Sequence, residues 1–193
     1  MTISDPKADL LNYLQRARGA MLWKLDGLSE YDARRPLTPT GTNLLGMVKH
    51  LARGEFGYFG ETFGRPSDAV APWPEDEQAF DAWVLPTESR ESIIGLYRRA
   101  WAHADATIEA LPLDAVGQVP WWGADGEVTL HQVLVHMTVE TQRHVGHADI
   151  VRELIDGTVG LLPTATNMPP SDAATWAAHR DMVERSAREA GRG

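Results

Sequence analysis

The sequence predicts an all-α four-helix bundle. Over four long segments the apolar residues recur at three- and four-residue spacing, which is the period of a helix with one buried face. Apolar residues make up 43% of the 193 residues and charged residues 23%, the balance of a globular protein with a packed core. No segment alternates apolar and polar residues for long enough to build a sheet. We therefore expect a single domain over 1–193, with a core at about 6–157 and an extension over 158–193.

The first two predicted helices cover about 8–25 and 44–59. Asp5 and Pro6 supply a cap and a first-turn proline for the first helix, and Thr42 or Asn43 can cap the second. The apolar stripe of the second helix consists of Leu44, Met47, Val48, Leu51 and Phe56. Prolines and glycines over 60–86 predict a long irregular crossover after this helix.

The third and fourth predicted helices follow that crossover. Thr87 or Ser89 can cap a helix that continues to Leu111, where Pro112 stops it. After an irregular stretch over 113–127, a fourth periodic segment begins at about Thr129 and ends before Gly157. A polar segment over 172–189 predicts a short C-terminal helix on the outside of the bundle.

Charge and composition exclude several classes of partner. The net charge is −9 and no cluster of Lys and Arg stands out, so we expect no nucleic-acid partner. The first residues lack a secretory signal pattern and no apolar run is long enough for a membrane span, which makes a cytoplasmic protein the expectation. The chain has no cysteine, so any thiol chemistry needs a thiol from outside.

A cluster of histidines on the fourth helix is the strongest local signal. His136, Glu140, His144 and His147 follow one another at spacings of four, four and three residues, which puts them on nearly one face. Imidazole nitrogens and carboxylate oxygens are ligands for Zn, Ni, Fe or Mn. A further ligand must come from another helix, and His50, at the margin of the second helix's apolar stripe, is the candidate.

An ordinary structural role for these residues stays open at this point. Histidines are commonly solvated or held in buried hydrogen bonds, and spacing alone does not exclude either. His103, His131 and His179 have no partner at ligand spacing and are expected at the surface or as capping residues. Asp149 and Arg152 predict a surface ion pair. The tryptophans in the irregular stretches either bind a ligand or close the core under a loop.

Two motifs carry a resemblance to a known family. The stretch from Asn43 through His50, with Glu55 a turn later, and the stretch from His136 to Gly157 together resemble the DinB-like superfamily. Within it, the chain is similar to the mini-circle branch and is related to the mycothiol-dependent maleylpyruvate isomerases. This resemblance implies a bundle with up-down-down-up order and a metal held by one histidine of the second helix and two residues of the last long helix.

Those ligand positions correspond here to His50, Glu140 and His144. Many relatives carry histidine in place of Glu140, whereas the maleylpyruvate isomerases use a His, Glu, His set. His147 stands where many relatives carry glutamine, so it is a fourth ligand, a replacement for Glu140, or a group that contacts a ligand or the substrate. The metal expected is a divalent ion, Zn or Ni first and Fe or Mn next. Relatives also suggest a homodimer.

The resemblance implies an enzyme that transfers a low-molecular-weight thiol such as mycothiol, with the metal stabilising the thiolate. The substrate pocket is then expected between the second and fourth helices, closed by the crossover over 60–86. Metal-assisted hydrolysis, with Glu55 or His147 carrying protons, is a second interpretation. A third is a metal-binding or stress-response module without catalysis. The sequence assigns no catalytic residue beyond these candidates.

Overall fold

The computed structural model describes residues 5–69 and 83–192 and confirms the four-helix bundle. The bundle consists of four long helices. A short helix and a pair of three-residue strands lie in the connections between them, and a further helix follows at the C-terminal end. The helices are α1 (Pro6–Trp23), α2 (Glu30–Arg34), α3 (Leu44–Phe59), α4 (Arg90–Ala110), α5 (Leu130–Asp156) and α6 (Ala173–Ala190). The antiparallel strands are β1 (Val116–Gln118) and β2 (Glu127–Thr129).

The helix ends lie where capping residues stand in the sequence. The Asp5 carboxylate accepts a hydrogen bond from the backbone N–H of Lys7, and Pro6 begins α1. Asn43 rather than Thr42 caps α3, and Ser89 caps α4. Gly157 ends α5 in the left-handed region, with a φ of 76°, where glycine carries no side-chain penalty.

Helix α3 lies at the centre of the bundle. It packs against α4 and α5, while α1 packs against α5. Most of α3 is buried, including Leu45, Val48 and Leu51. Burying a leucine or valine side chain stabilises a fold by roughly 1.5–3 kcal/mol, so these contacts fix α3 firmly against its neighbours. The residues that α3 presents to α5 are therefore held on a rigid surface.

The connections differ in part from the sequence prediction. The predicted irregular stretch over 113–127 holds β1, a 3₁₀ segment from Pro120 to Asp125 and the first residue of β2. Sequence alternation could not reveal strands of three residues, because they are shorter than two periods of the pattern. Part of the predicted crossover, including Trp73, lies outside the described residues. Trp83 is 60% exposed and does not close the core.

Buried basic residues join the end of α1 to the end of α5. The Nζ of Lys24 lies 2.6 Å from a carboxylate oxygen of Asp149 and donates to the carbonyl of Gly160. Arg152 donates to the Lys24 carbonyl and pairs with Asp156 at 2.8 Å. The predicted surface ion pair between Asp149 and Arg152 is therefore wrong, since each residue has a different partner.

Helix α6 lies on the outside of the bundle, as predicted, but it is as long as α1, at 18 residues. None of its residues is buried. Trp176 is partly buried, and the other residues of the helix are exposed. A cleft of about 690 Å³ separates it from the end of α5. Within the described ranges, no helix combines the length and the apolarity that a membrane span needs.

The N-terminal cap of α5 gives a testable effect on stability. The Thr129 hydroxyl accepts a hydrogen bond from the backbone N–H of Gln132. In return, the backbone N–H of Thr129 donates to the side-chain oxygen of Gln132. We expect Thr129→Ala to lower the free energy of unfolding by about 1 kcal/mol and the melting temperature by about 2–4 °C. Thr129→Ser keeps the hydroxyl and should retain the wild-type value in thermal unfolding; equal losses in both variants would contradict this role of the cap.

Candidate metal centre

Helices α3 and α5 bring His50, Glu140 and His144 together. His50 lies on α3, whereas Glu140 and His144 are one turn apart on α5. The Oε1 of Glu140 lies 2.9 Å from the Nε2 of His144 and 3.5 Å from the Nε2 of His50. One donor atom from each of the three lies within 4.8 Å of the others. Among the described residues, these three make up the cluster of potential ligands.

The geometry and chemistry of this cluster fit a divalent metal. Zinc lies about 2.0–2.2 Å from His nitrogens and carboxylate oxygens, so neighbouring ligands of one ion are about 3–3.6 Å apart. The two separations between the histidine nitrogens and Glu140 fall in or next to that range. Two imidazoles and one carboxylate also form a ligand set that first-row divalent ions accept.

The protonation states of these side chains also suit a metal. Burial opposes ionisation of Glu140, but attraction and hydrogen bonds from His144 and His50 outweigh it, so the pKa of Glu140 lies below its usual value. Burial, reinforced by the neighbouring His50, lowers the pKa of His144 despite the nearby Glu140 carboxylate. Near neutral pH the site thus holds a carboxylate and a neutral imidazole, the forms that bind metal.

The second ring nitrogen of His144 is buried and has no hydrogen-bond partner among the described residues. Such nitrogens commonly donate to a carboxylate, a carbonyl or water when the other nitrogen binds a metal. Among the described residues, no carboxylate or carbonyl accepts a hydrogen bond from the Nδ1 of His144. Its orientation comes from Glu140 and from the edge of the His50 ring, whose centroid lies 4.8 Å away.

The structure does not bring His147 into the cluster. Its side chain is exposed, and its ring packs edge-on against His144 with the centroids 5.5 Å apart. His136 is half-buried, and its ring contacts Tyr58 rather than the ligands. Burial lowers the pKa of His136, although the Glu140 charge acts in the opposite direction.

The remaining histidines also lie away from the cluster. The Nε2 of His103 lies 2.8 Å from the carbonyl oxygen of Arg65. His131 and His179 are exposed, and the ring of His179 lies 6.0 Å from that of Trp176. These positions agree with the expectation that none of the three is a ligand.

A cavity of about 190 Å³ opens beside the ligands, between α3 and α5. The side chains that surround it are mostly apolar or aromatic and include two of the three clustered residues. They are His50, Leu51, Gly54, Tyr58, Trp121, His136, Met137 and Glu140. The cavity lies between the second and fourth long helices, as expected. Among the described residues that line it, Trp121 comes from outside these helices, in the connection before α5.

Glu55 is not available to carry protons at this cavity. Its carboxylate is fully buried, and both oxygens accept hydrogen bonds from the Arg18 guanidinium, at 2.8 and 2.6 Å. Arg18 also pairs with Asp105 at 2.7 Å, which joins α1 to α4. The predicted role of Glu55 in hydrolysis is therefore wrong, because its charge serves to hold three helices together.

Sequence reasoning missed Tyr58 as a residue of the site, and it left Trp121 open between a ligand contact and closure of the core. One signal was available on α3, because Gly54 and Tyr58 follow His50 at spacings of four and eight and so share its face. For Trp121 no comparable signal exists, since the 3₁₀ segment that carries it has no regular relation to α3. Its position depends on the tertiary fold.

The four-helix bundle and its cluster of two histidines and a glutamate agree with the class of the DinB-like proteins, to which the matching family model belongs. The particular family is given by the model of the mycothiol S-transferases, which matches residues 9–157. The chain belongs to this family. A comparison with curated proteins finds no match.

Solved structures share the fold at low sequence identity. YfiT from Bacillus subtilis, described as a probable metal-dependent hydrolase with an unusual four-helix bundle topology, superposes with a TM-score of 0.60. It is 16% identical, over 81% of this chain and 92% of YfiT. A conserved protein from Enterococcus faecalis gives a TM-score of 0.58 at 16% identity, over 81% of this chain and 100% of that protein. At this identity the similarity concerns the fold alone.

Proposed function

We propose that this protein is a metal-dependent S-transferase that joins a low-molecular-weight thiol of the mycothiol type to an electrophile. His50, Glu140 and His144 would hold the metal. The observation that carries the proposal is the position of this ligand cluster at the wall of an apolar cavity, in a chain of the mycothiol S-transferase family. We place the reaction in the bundle of residues 6–157 and treat 158–193 as an extension of the same domain.

The number of ligands supports an enzyme over a structural metal site. Structural zinc sites are closed by four protein ligands, whereas catalytic sites use three and keep one position open. Here three residues converge, and their side chains are 19–30% exposed. The nearby His147 lies outside the cluster and leaves the position open. A module that only stores or senses metal would have no use for the adjoining cavity.

Each residue of the site has a separate task in this proposal. A bound divalent metal supplies positive charge that stabilises the thiolate form of an incoming thiol. Glu140 contributes the negative charge of the ligand set, and the two histidines contribute imidazole nitrogens. Leu51 and Met137 line the cavity and exclude water from the reacting atoms. Because the chain has no cysteine, it cannot form a disulfide with the thiol that it binds.

Metal-assisted hydrolysis remains the second candidate, since YfiT, which shares the fold, is described as a probable hydrolase. In that reaction water replaces the thiol as the nucleophile and a proton carrier is needed. Glu55 is excluded from this task by its buried pair with Arg18. His147, which is exposed beside His144, is the described candidate. The two reactions differ in whether turnover requires a thiol.

Thiol dependence is the test. Protein reloaded with Zn, Ni, Fe or Mn in turn is mixed with mycothiol and 1-chloro-2,4-dinitrobenzene, and conjugate formation is followed by absorbance. In the expected reaction an S–C bond forms, chloride leaves with the bonding pair and the thiol proton goes to solvent. We expect conjugation that depends on both metal and thiol and is lost in His144→Ala but kept in His131→Ala. Metal-dependent cleavage of ester substrates without any thiol would instead favour the hydrolase.

A further inference from the structure

The cavity beside the ligand cluster has an aromatic wall. Tyr58 lies at its centre, with its ring centroid 4.6 Å from that of His136 and 5.0 Å from that of Trp121. Tyr58, Trp121 and His136 all line the cavity, together with His50 and Glu140 of the cluster. A molecule in this cavity therefore contacts aromatic rings on one side and the candidate metal ligands on the other.

Trp121 is held in place although half of its surface is exposed. The side chain is 51% exposed, and its indole N–H points to the Tyr58 hydroxyl at 3.4 Å. The edge of its ring lies against Gly57 of α3, where an added Cβ would stand 2.7 Å from ring atom Cη2. No Cβ fits at that separation, so the glycine is what allows the indole to pack against the helix. A large apolar side chain that is fixed and yet exposed suits a ligand surface.

The size and charge of the cavity restrict what it can take. An apolar cavity of about 150 Å³ holds one benzene molecule. At about 190 Å³, this cavity has room for one ring with a few further atoms, and not for a whole sugar-containing thiol. No Lys or Arg is among its described lining residues, and its one carboxylate belongs to the ligand cluster. Without metal, an anionic group would find no cation among the described lining residues, whereas a neutral planar group would find three rings.

We propose that this cavity is the subsite for a neutral, planar, apolar group of the electrophile and that Trp121, seated on Gly57, sets its size. This inference rests on the proposed function, because it assigns the second substrate of the same reaction. A group held against Trp121 and Tyr58 places its reactive carbon next to His50 and Glu140, where the thiol sulfur would be bound. The S–C bond forms there while the leaving group departs with its electron pair, or while an alkene carbon takes up the proton.

The test measures binding without turnover. Binding of 4-fluorobenzyl alcohol and of 4-fluorobenzoate is followed by ¹⁹F NMR, with cyclohexylmethanol as a non-planar competitor, in metal-free and metal-loaded protein. In metal-free protein we expect the neutral aromatic probe to bind roughly 10-fold more tightly than the benzoate, and cyclohexylmethanol to compete weakly. Gly57→Ala and Trp121→Ala should each weaken binding of the alcohol by roughly 5- to 10-fold. Gly19→Ala is the control, since its added Cβ meets nothing within 4 Å.

The outcomes separate this inference from the proposed function. Binding of the alcohol that is unchanged in both Gly57→Ala and Trp121→Ala, or benzoate that binds metal-free protein as tightly as the alcohol does, would overturn the subsite even if the wild type holds metal. Absence of metal from the wild type, combined with probe binding that depends on Gly57 and Trp121, would overturn the metal-dependent transferase and uphold the aromatic cavity. Circular dichroism of each variant establishes that the bundle is intact, which keeps a folding defect from being taken for lost binding.

Discussion

His144→Ala is expected to lose stoichiometric metal. His144 contributes the nitrogen that lies closest to Glu140, at 2.9 Å, and it is the most buried of the three candidate ligands. Removal of groups that merely support a ligand weakens metal binding about 10- to 100-fold. Loss of the ligand itself should therefore weaken it by more than about 100-fold. Elemental analysis of protein purified without an affinity tag or chelator, followed by titration of the metal-free protein, measures both quantities.

Three other variants make this result specific. His50→Ala should lose metal as His144→Ala does, because it removes the ligand from α3. His131→Ala alters an exposed histidine on the same helix and should retain the wild-type metal content. His147→Ala should also retain metal, since this residue lies outside the cluster. Metal lost from His147→Ala but kept in His144→Ala would show that the site is built differently from the one described here.

Helical spacing predicted that Glu140 and His144 lie together, and it left the role of His147 open. Glu140 and His144 are one turn apart, so their side chains meet on any regular helix. His147 points in nearly the same direction as Glu140, because seven residues make almost two full turns. The same seven residues add a rise of about 10.5 Å along the axis, which is too far for two ligands of one ion. Direction alone was therefore an incomplete criterion.

The aromatic wall of the cavity could be predicted from the sequence only in part, because helical periodicity relates residues of one helix and not residues of different elements. Periodicity relates residues on one helix, and it could have placed Gly54 and Tyr58 next to His50. It carries no information about how a loop folds back onto a helix. Trp121 meets Gly57, which lies 64 residues earlier in the chain, and only the packed bundle defines that contact. The family resemblance did not supply it either, since its motifs lie on α3 and α5.

Buried charges were a second feature that the apolar pattern obscured. Arg18 lies next to Ala17 on the face of α1 that is buried, and Glu55 lies next to Phe56 in the buried stripe of α3. A charged residue within an apolar stripe suggests a buried partner of opposite charge, because an unpaired buried charge is very costly. The sequence holds that signal for each residue separately, but the identity of the partner depends on how α1 and α3 pack.

Arg18→Met is expected to lower the free energy of unfolding by about 3–5 kcal/mol. The variant leaves the Glu55 carboxylate fully buried without the cation that binds both of its oxygens. Asp105 loses the same partner but is 37% exposed on its side chain and can be solvated. Arg16→Met, an exposed position on the same helix, should change stability by less than about 0.5 kcal/mol. Urea unfolding measures the three proteins under one set of conditions.

The loss in Arg18→Met should depend on pH in a direction that identifies its cause. Burial raises the pKa of Glu55 to about 7 even though Arg18 opposes this shift, so removal of Arg18 raises the pKa further. A carboxyl group whose pKa is higher in the folded than in the unfolded state binds more protons when folded. The free energy of unfolding therefore falls as pH rises, and it does so over a wider pH range in the variant. The penalty of the substitution should be larger at pH 9 than at pH 6.

The double variant Arg18→Met/Glu55→Met separates the buried charge from the lost packing of Arg18. Replacing both partners of a buried pair by apolar side chains is often neutral, whereas removing one partner is strongly destabilising. We expect the double variant to recover most of the lost stability and to lose the added pH dependence. A double variant as unstable as Arg18→Met at every pH would mean that Arg18 acts through its packing between α1 and α3. In that case the ion pair would not be what fixes the helix that carries His50.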